Sequence, residues 1–130
     1  MYNATTRGIS VTVKPIYLPD QSEPEKAHFV WAYQVRIENQ GEATVQLRNR
    51  YWRIVDGRGR IQEVRGAGVV GEQPVLKPGE AFEYTSGTPL STPTGFMGGT
   101  YEMEGPDGER FNIAIPTFSL DNPDMPAKVH

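Results

Sequence analysis

The sequence predicts an all-β fold, two antiparallel sheets packed face to face, and three observations carry that expectation. Apolar and polar residues alternate through much of the chain, as at Ile9, Val11 and Val13, so each segment has one apolar face. Glycine (14) and proline (11) punctuate the 130 residues at short intervals. No window of about 15 residues holds a helical apolar period free of them. Turn residues recur about every 8 to 12 positions, which is the spacing of a sandwich or barrel. Turns of unequal length and one strongly one-sided central strand favour the sandwich.

The elements follow in order. Ile9, Val11 and Val13 form a first strand that should end at an edge, because Pro15 has no N–H to give a neighbour. Asp20 to Lys26 is a charged loop. Phe29, Trp31, Tyr33, Val35 and Ile37 share one face of the next strand, opposite Gln34, Arg36 and Glu38. Burying those five side chains contributes on the order of 10 kcal/mol before entropy is subtracted. After the turn at Asn39-Gln40-Gly41, a strand runs from Thr44 to Val55. Its apolar parity changes from odd (Val45, Leu47) to even (Trp52, Ile54), which places a bulge or a switch of sheets near Arg48-Asn49-Arg50. Asp56-Gly57-Arg58-Gly59 turns into a short strand, Arg60 to Val64, and Leu76 to Glu80 is another turn. Phe82 and Tyr84 alternate, Ser86 to Gly95 reads as loop, and Met97, Gly99, Tyr101 and Met103 alternate again. Gly105-Pro106-Asp107-Gly108 closes a hairpin into Phe111, Ile113 and Ile115.

A chain of this length is one domain, here residues 1–120, with 121–130 as a flexible tail. It buries about two-thirds of its unfolded surface, enough for a core without staples. Cysteine is absent, which excludes disulfides and thiolate metal sites and makes a reducing cytoplasm the expected compartment. Met1 to Ser10 holds no apolar run resembling a signal peptide, and no stretch approaches the roughly 20 apolar residues of a membrane helix.

Charge is unevenly placed. Six arginines (48, 50, 53, 58, 60 and 65) against Asp56 and Glu63 give residues 48–65 a balance of +4, leaving −7 for the remainder of a −3 chain. A solvated face can produce such a segment; so can a surface that meets an anion or an acidic partner.

Candidate sites are few. Gly66-Ala67-Gly68-Val69-Val70-Gly71 spells G-x-G-x-x-G after a predicted strand. The dinucleotide reading also needs a helix to start there, and Pro74 and Pro78-Gly79 leave no room for one. Successive N–H groups in a glycine loop can still form an anion nest. Arg58, Arg60 and Arg65 with Gly66, Gly68 and Gly71 are therefore the candidate anion- or partner-binding set. A crossing loop between sheets is the plainer alternative. His28 is too poor in ligands for a transition-metal site, and His130 is terminal; Asp20, Glu23 and Glu25 beside His28 could hold a hard cation weakly, with a plain acidic loop as the commoner reading. No metal or other cofactor is expected. Ser86, Ser91 and Thr92 lack an oriented base, and no carboxylate lies in an apolar setting that would raise its pKa. Nucleic acid is disfavoured: Trp52 shares parity with Ile54 and belongs to the core, and the acidic remainder opposes a duplex.

A set of loop residues in fixed order carries a family resemblance. Gly66-x-Gly68-x-x-Gly71, Pro74-x-Leu76-x-Pro78-Gly79 and Phe82-x-Tyr84-Thr85-Ser86-Gly87 are followed by Leu90-x-Thr92-Pro93-x-Gly95-x-Met97 and Gly99-x-Tyr101-x-Met103. With Trp31-x-Tyr33 and Trp52 upstream, these resemble the ApaG family across nearly the whole chain. The resemblance implies an immunoglobulin-like or fibronectin type III-like β-sandwich of seven to eight antiparallel strands in a small stand-alone bacterial protein. It also implies an association with cobalt resistance and magnesium efflux, and with genes near a diadenosine tetraphosphate hydrolase. Similar domains are attached to eukaryotic F-box proteins and to a DNA-polymerase-delta-interacting protein, as a partner-binding module would be.

The functional expectation is a non-enzymatic module that binds an unidentified protein partner. Its contact surface would combine strand edges, the loop 66–74 and the loop residues Ser86, Gly87, Thr92, Pro93 and Gly95, with the arginine hairpin steering an acidic partner. The alternative is a small-ligand binder taking a phosphate-rich nucleotide or a divalent cation at 66–71.

Overall fold

The computed structural model describes residues 1–122. Among the described residues nine strands form: β1 (Tyr2–Thr6), β2 (Ile9–Tyr17), β3 (Phe29–Asn39), β4 (Val45–Asp56), β5 (Ile61–Ala67), β6 (Val75–Leu76), β7 (Ala81–Leu90), β8 (Gly95–Glu104) and β9 (Arg110–Ser119). They build two antiparallel sheets, one ordered β1-β2-β3-β7 and the other β5-β4-β8-β9, with β6 paired to β4 beyond the end of β5. The all-β sandwich expected from the alternation is the fold observed.

The core lies between the sheets. Phe29, Trp31, Tyr33, Val35 and Ile37 of β3 all point inward and are buried, as are Val45, Leu47, Trp52 and Ile54 of β4. The register of β4 against β8 shifts between Leu47 and Asn49, so the parity change in the sequence is a bulge within one strand and not a change of sheet. A second irregularity, between Met97 and Gly99 of β8, lets Phe118 of β9 turn inward although Ile113 and Ile115 have the opposite parity. Pro116 sits in that irregular stretch, where no ladder bond is asked of it. Phe118 is buried against the rings of Tyr2, Tyr33 and Trp52. The hydroxyls of Tyr84 and Tyr101 hydrogen-bond each other across the two sheets.

Four expectations are corrected. β1 was not legible, and it pairs with β2 from Ile9 to Val13, so the first apolar strand is internal there. From Lys14 onward β1 has ended, and Pro15 occupies a stretch with an open outer side. Residues 86–90 are not loop but the second half of β7, hydrogen-bonded along β3; small and proline residues suit that strand because its other side is an edge. The strand after Arg60 runs on to Ala67. The segment 20–26 folds into two short 3-10 turns, Pro19–Gln21 and Pro24–Lys26. Of the expected tail, residues 123–130, His130 included, lie outside the described residues. Asn122 is docked: its N–H donates to the Pro93 carbonyl at 2.8 Å and it is buried.

Candidate functional site

The arginine segment forms the hairpin β4–β5, and its turn is built by Asp56. The Asp56 carboxylate accepts the N–H groups of Arg58 (2.9 Å) and Arg60 (3.0 Å) and the Arg60 guanidinium (2.8 Å). Desolvation alone would raise its pKa; the two backbone N–H groups and the Arg60 side chain outweigh it and hold Asp56 below the ordinary carboxylate range. Arg60 reaches on to the Ser91 hydroxyl at 2.7 Å. Thr92, buried, accepts the Gly57 N–H at 2.8 Å and donates to the Thr94 carbonyl at 2.7 Å. The turns 57–60 and 91–94 are thus knitted together at one end of the sandwich.

The six arginines have different work. Arg48 pairs with Glu104 at 2.9 Å, and Arg48 is the chief reason that the Glu104 carboxyl is held below its usual range. Arg65 lies over the Tyr51 ring at 4.6 Å and 3.6 Å from Glu63, which accepts the Tyr51 hydroxyl at 2.6 Å. Arg50 donates to the carbonyls of Ala67 (3.0 Å) and Gly68 (2.9 Å). Among the described residues, the side chains of Arg53 and Arg58 form no ion pair and no hydrogen bond; both residues are exposed.

Arg50 also explains the glycine triplet. Gly66 is opposite Arg50 in the ladder, and a Cβ there would lie 2.8 Å from the guanidinium nitrogens. Gly68 has φ +65°, and a Cβ on it would meet the Glu72 carbonyl oxygen at 2.3 Å. Val69 and Glu72 exchange backbone bonds of 2.8 and 2.9 Å around Val70 and Gly71, both at positive φ (+44° and +81°). The loop is therefore a tight hairpin tip. Its Gly68, Val69 and Glu72 N–H groups are committed to the carbonyls of Arg48, Glu72 and Val69, so these three are not available to an anion.

The structure groups some predicted residues and separates others. Arg58 and Arg60 lie with Thr92, Pro93 and Gly95 at one end, since Gly95 is the ladder partner of Asp56. Arg65, Gly66, Gly68 and Gly71 lie farther along β5 and its following loop, toward the other half of β4. Ser86 and Gly87 pair with Tyr33 and Ala32 in the other sheet. The two predicted loops are not one surface. Asp20, Glu23, Glu25 and His28 do not converge either: among the described residues no three metal-ligating side chains come together, and Glu23 pairs with Lys26 at 3.2 Å.

What the sequence reading missed is a row on the solvent face of β5-β4-β8. Val55 is the ladder partner of both Ile61 and Phe96. Ile61 is 55% and Phe96 43% exposed, with Val55 at 8% between them. Arg53 shares this outer face two residues along β4, opposite Gly98, which has no side chain to cover it. Arg58 stands in the adjoining turn. The alternation with inward Met97 marked Phe96 as outward-facing, but only the cross-strand register brings it beside Ile61.

A family model described as ApaG domain matches residues 19–105. A protein ApaG of Paramagnetospirillum magneticum is 68% identical over 123 residues, 95% of each chain. One of Parvibaculum lavamentivorans is 59% identical over the whole of both chains. Among solved structures, a Bordetella pertussis protein titled a putative ApaA protein superposes with a TM-score of 0.87 at 51% identity, covering 90% of this chain and 95% of its own. With the family model matched over most of the fold and relatives of this identity spanning nearly its full length, the chain belongs to the ApaG family.

Proposed function

We propose that this chain is a non-enzymatic protein–protein interaction module whose partner-facing surface is the outer face of β5-β4-β8, and that its partner presents an apolar side chain flanked by carboxylates. The observation that carries this reading is the Ile61–Val55–Phe96 row with Arg53 and Arg58 unpaired beside it. An apolar centre rimmed by arginine is the composition of a recognition patch, since arginine and aromatic residues dominate interface energetics. The −7 balance of the rest of the chain would repel an acidic partner elsewhere and direct its approach to this hairpin. Any tie to cobalt resistance or magnesium efflux would run through that partner.

The test is affinity capture from cell extract with wild type, Phe96→Ser, and the Arg53→Glu/Arg58→Glu pair. Lys14→Glu, on the outer face of the other sheet, serves as control. Wild type and the control should retain the same stoichiometric partner and the other two should lose it. Equal retention by all four, or no partner for wild type, contradicts the reading. Adding pyrophosphate, Mg²⁺ or Co²⁺ at millimolar concentration should leave the amide resonances of 66–71 unmoved; a saturable shift there would favour a small-ligand site.

A further inference from the structure

β5 is an edge strand, exposed except at the half-buried Val64 and Gly66, and its free side is well formed for pairing. The Asp56 N–H donates to the Arg60 carbonyl at 3.0 Å and the Gly68 N–H to the Arg48 carbonyl at 2.8 Å. The antiparallel alternation between those bonds turns the even-numbered residues of β5 toward β4. The N–H and C=O groups of Ile61, Glu63 and Arg65 are left on the open edge. The strand contains no proline, and its register against β4 has no irregularity.

The edges at β9 and β7 are blunted. On β9 the Ala114 N–H donates to the Thr6 hydroxyl and Pro116 interrupts the run. On β7, Val30 directs its N–H to Ser22 and its carbonyl to the Leu18 N–H, away from β7. Its ladder partner Pro89 therefore faces the open side, with no donor there. Edges treated this way resist strand addition; β5 is not so treated.

The occupant that fits β5 is read from its own sequence. Ile61-Gln62-Glu63-Val64-Arg65-Gly66-Ala67 is self-complementary about Val64. A second copy laid antiparallel with Val64 opposite Val64 sets Glu63 against Arg65 of the second copy, and Arg65 against its Glu63, both as hydrogen-bonded pairs. Ile61 then meets Ala67. Centring on Glu63 would instead set like charges face to face, which a ladder disfavours. The side chains of Glu63 and Arg65 are 47% and 71% exposed, so both are accessible to such a neighbour.

We infer that two copies of this chain associate through β5 about a two-fold axis at Val64, joining their β5-β4-β8-β9 sheets into one continuous sheet. A closed two-fold contact of this kind uses the same strand from each subunit. The contact runs along the backbone edge of β5 and shares Ile61 with the partner surface proposed above; sedimentation of the chain alone reads it separately from capture of a partner.

The test is sedimentation velocity on the full chain over a dilution series, with Glu63→Arg, Arg65→Glu, and an equimolar mixture of the two. Wild type should show a reversible monomer–dimer equilibrium. Each single reversal should weaken it by about tenfold or more, since every cross-strand ion pair becomes a like-charge pair. The mixture should recover a heterodimer near the wild-type strength, because each reversed charge then meets its opposite. A wild type that stays monomeric to about 1 mM, in the range of the weakest specific contacts, overturns the inference. So does a single reversal that dimerises as wild type does, or a mixture that fails to associate.

Discussion

Along β9 the edge is occupied: the Ala114 N–H meets the Thr6 hydroxyl at 3.1 Å, the Ser119 N–H meets the Tyr2 hydroxyl at 3.4 Å, and Phe118 fills the space between the sheets beneath Tyr2. Along β5, at the far edge of the same sheet, three residues leave their backbone groups to solvent and their side chains on the outer face. The two edges differ because one has a neighbour in the chain and the other has none. β1 is short and polar on its outer face, yet it supplies the hydroxyls that finish β9. No such hydroxyl finishes the Ile61, Glu63 and Arg65 stretch of β5. One side of the sandwich is closed by its own sequence; the other is left for association.

The largest effect should come from breaking the closed side. Phe118→Ala removes a buried ring held by Tyr2, Tyr33 and Trp52 and should cost about 3 to 5 kcal/mol in urea unfolding. A value below about 1 kcal/mol would mean that the β1–β9 side is not packed as described.

Next is the hydroxyl pair of Tyr84 and Tyr101, which joins the sheets on their inner faces. Tyr84→Phe leaves the buried Tyr101 hydroxyl without its partner and should cost about 1 to 3 kcal/mol, whereas Tyr84→Phe/Tyr101→Phe should cost less than the sum of the singles. Burial, before any other cause, raises the pKa of both tyrosines. The folded state therefore favours their neutral forms relative to the unfolded chain, where tyrosine titrates near about pH 10. Their contribution is fully present below that pH and is lost as pH rises above it. Urea midpoints measured between neutral pH and about pH 11 should fall in wild type, and fall less in the double variant.

Two smaller effects sharpen the contrast. Thr6→Val keeps the side-chain shape but removes the acceptor for Ala114, and should cost about 0.5 to 1.5 kcal/mol. Val70 is β-branched at φ +44° and exposed at the tip of the glycine hairpin, a backbone position that suits asparagine or glycine. Val70→Asn should stabilise by about 1 kcal/mol, and a loss of stability on this substitution would contradict the turn geometry.

Much of the fold was legible because burial imposes a period of two, and the residues of β3, β4 and β8 obey it. The bulge was legible too, since Leu47 and Trp52 cannot share a face without one. β1 was not, because Tyr2-Asn3-Ala4-Thr5-Thr6 has little apolar contrast and is ordered by its neighbours. The second half of β7 was hidden by Gly87 and Pro89, which read as loop until the strand is known to be an edge. The candidate surface was less legible than the fold. Arg58, Arg60 and Arg65 were singled out, but the same segment contains Arg50, whose work is to brace the glycine hairpin, and charge count does not separate these roles. The Ile61–Val55–Phe96 row depends on register between three strands, which no single segment encodes.

Residue-resolved hydrogen exchange across a dilution series compares the two edges most directly. In dilute solution the amides of Ile61, Glu63 and Arg65 should exchange quickly while that of Ala114 is protected; on concentrating, the β5 amides should slow and Ala114 should not change. Protection of Ile61, Glu63 and Arg65 that is equal to that of Ala114 and independent of concentration would contradict the account.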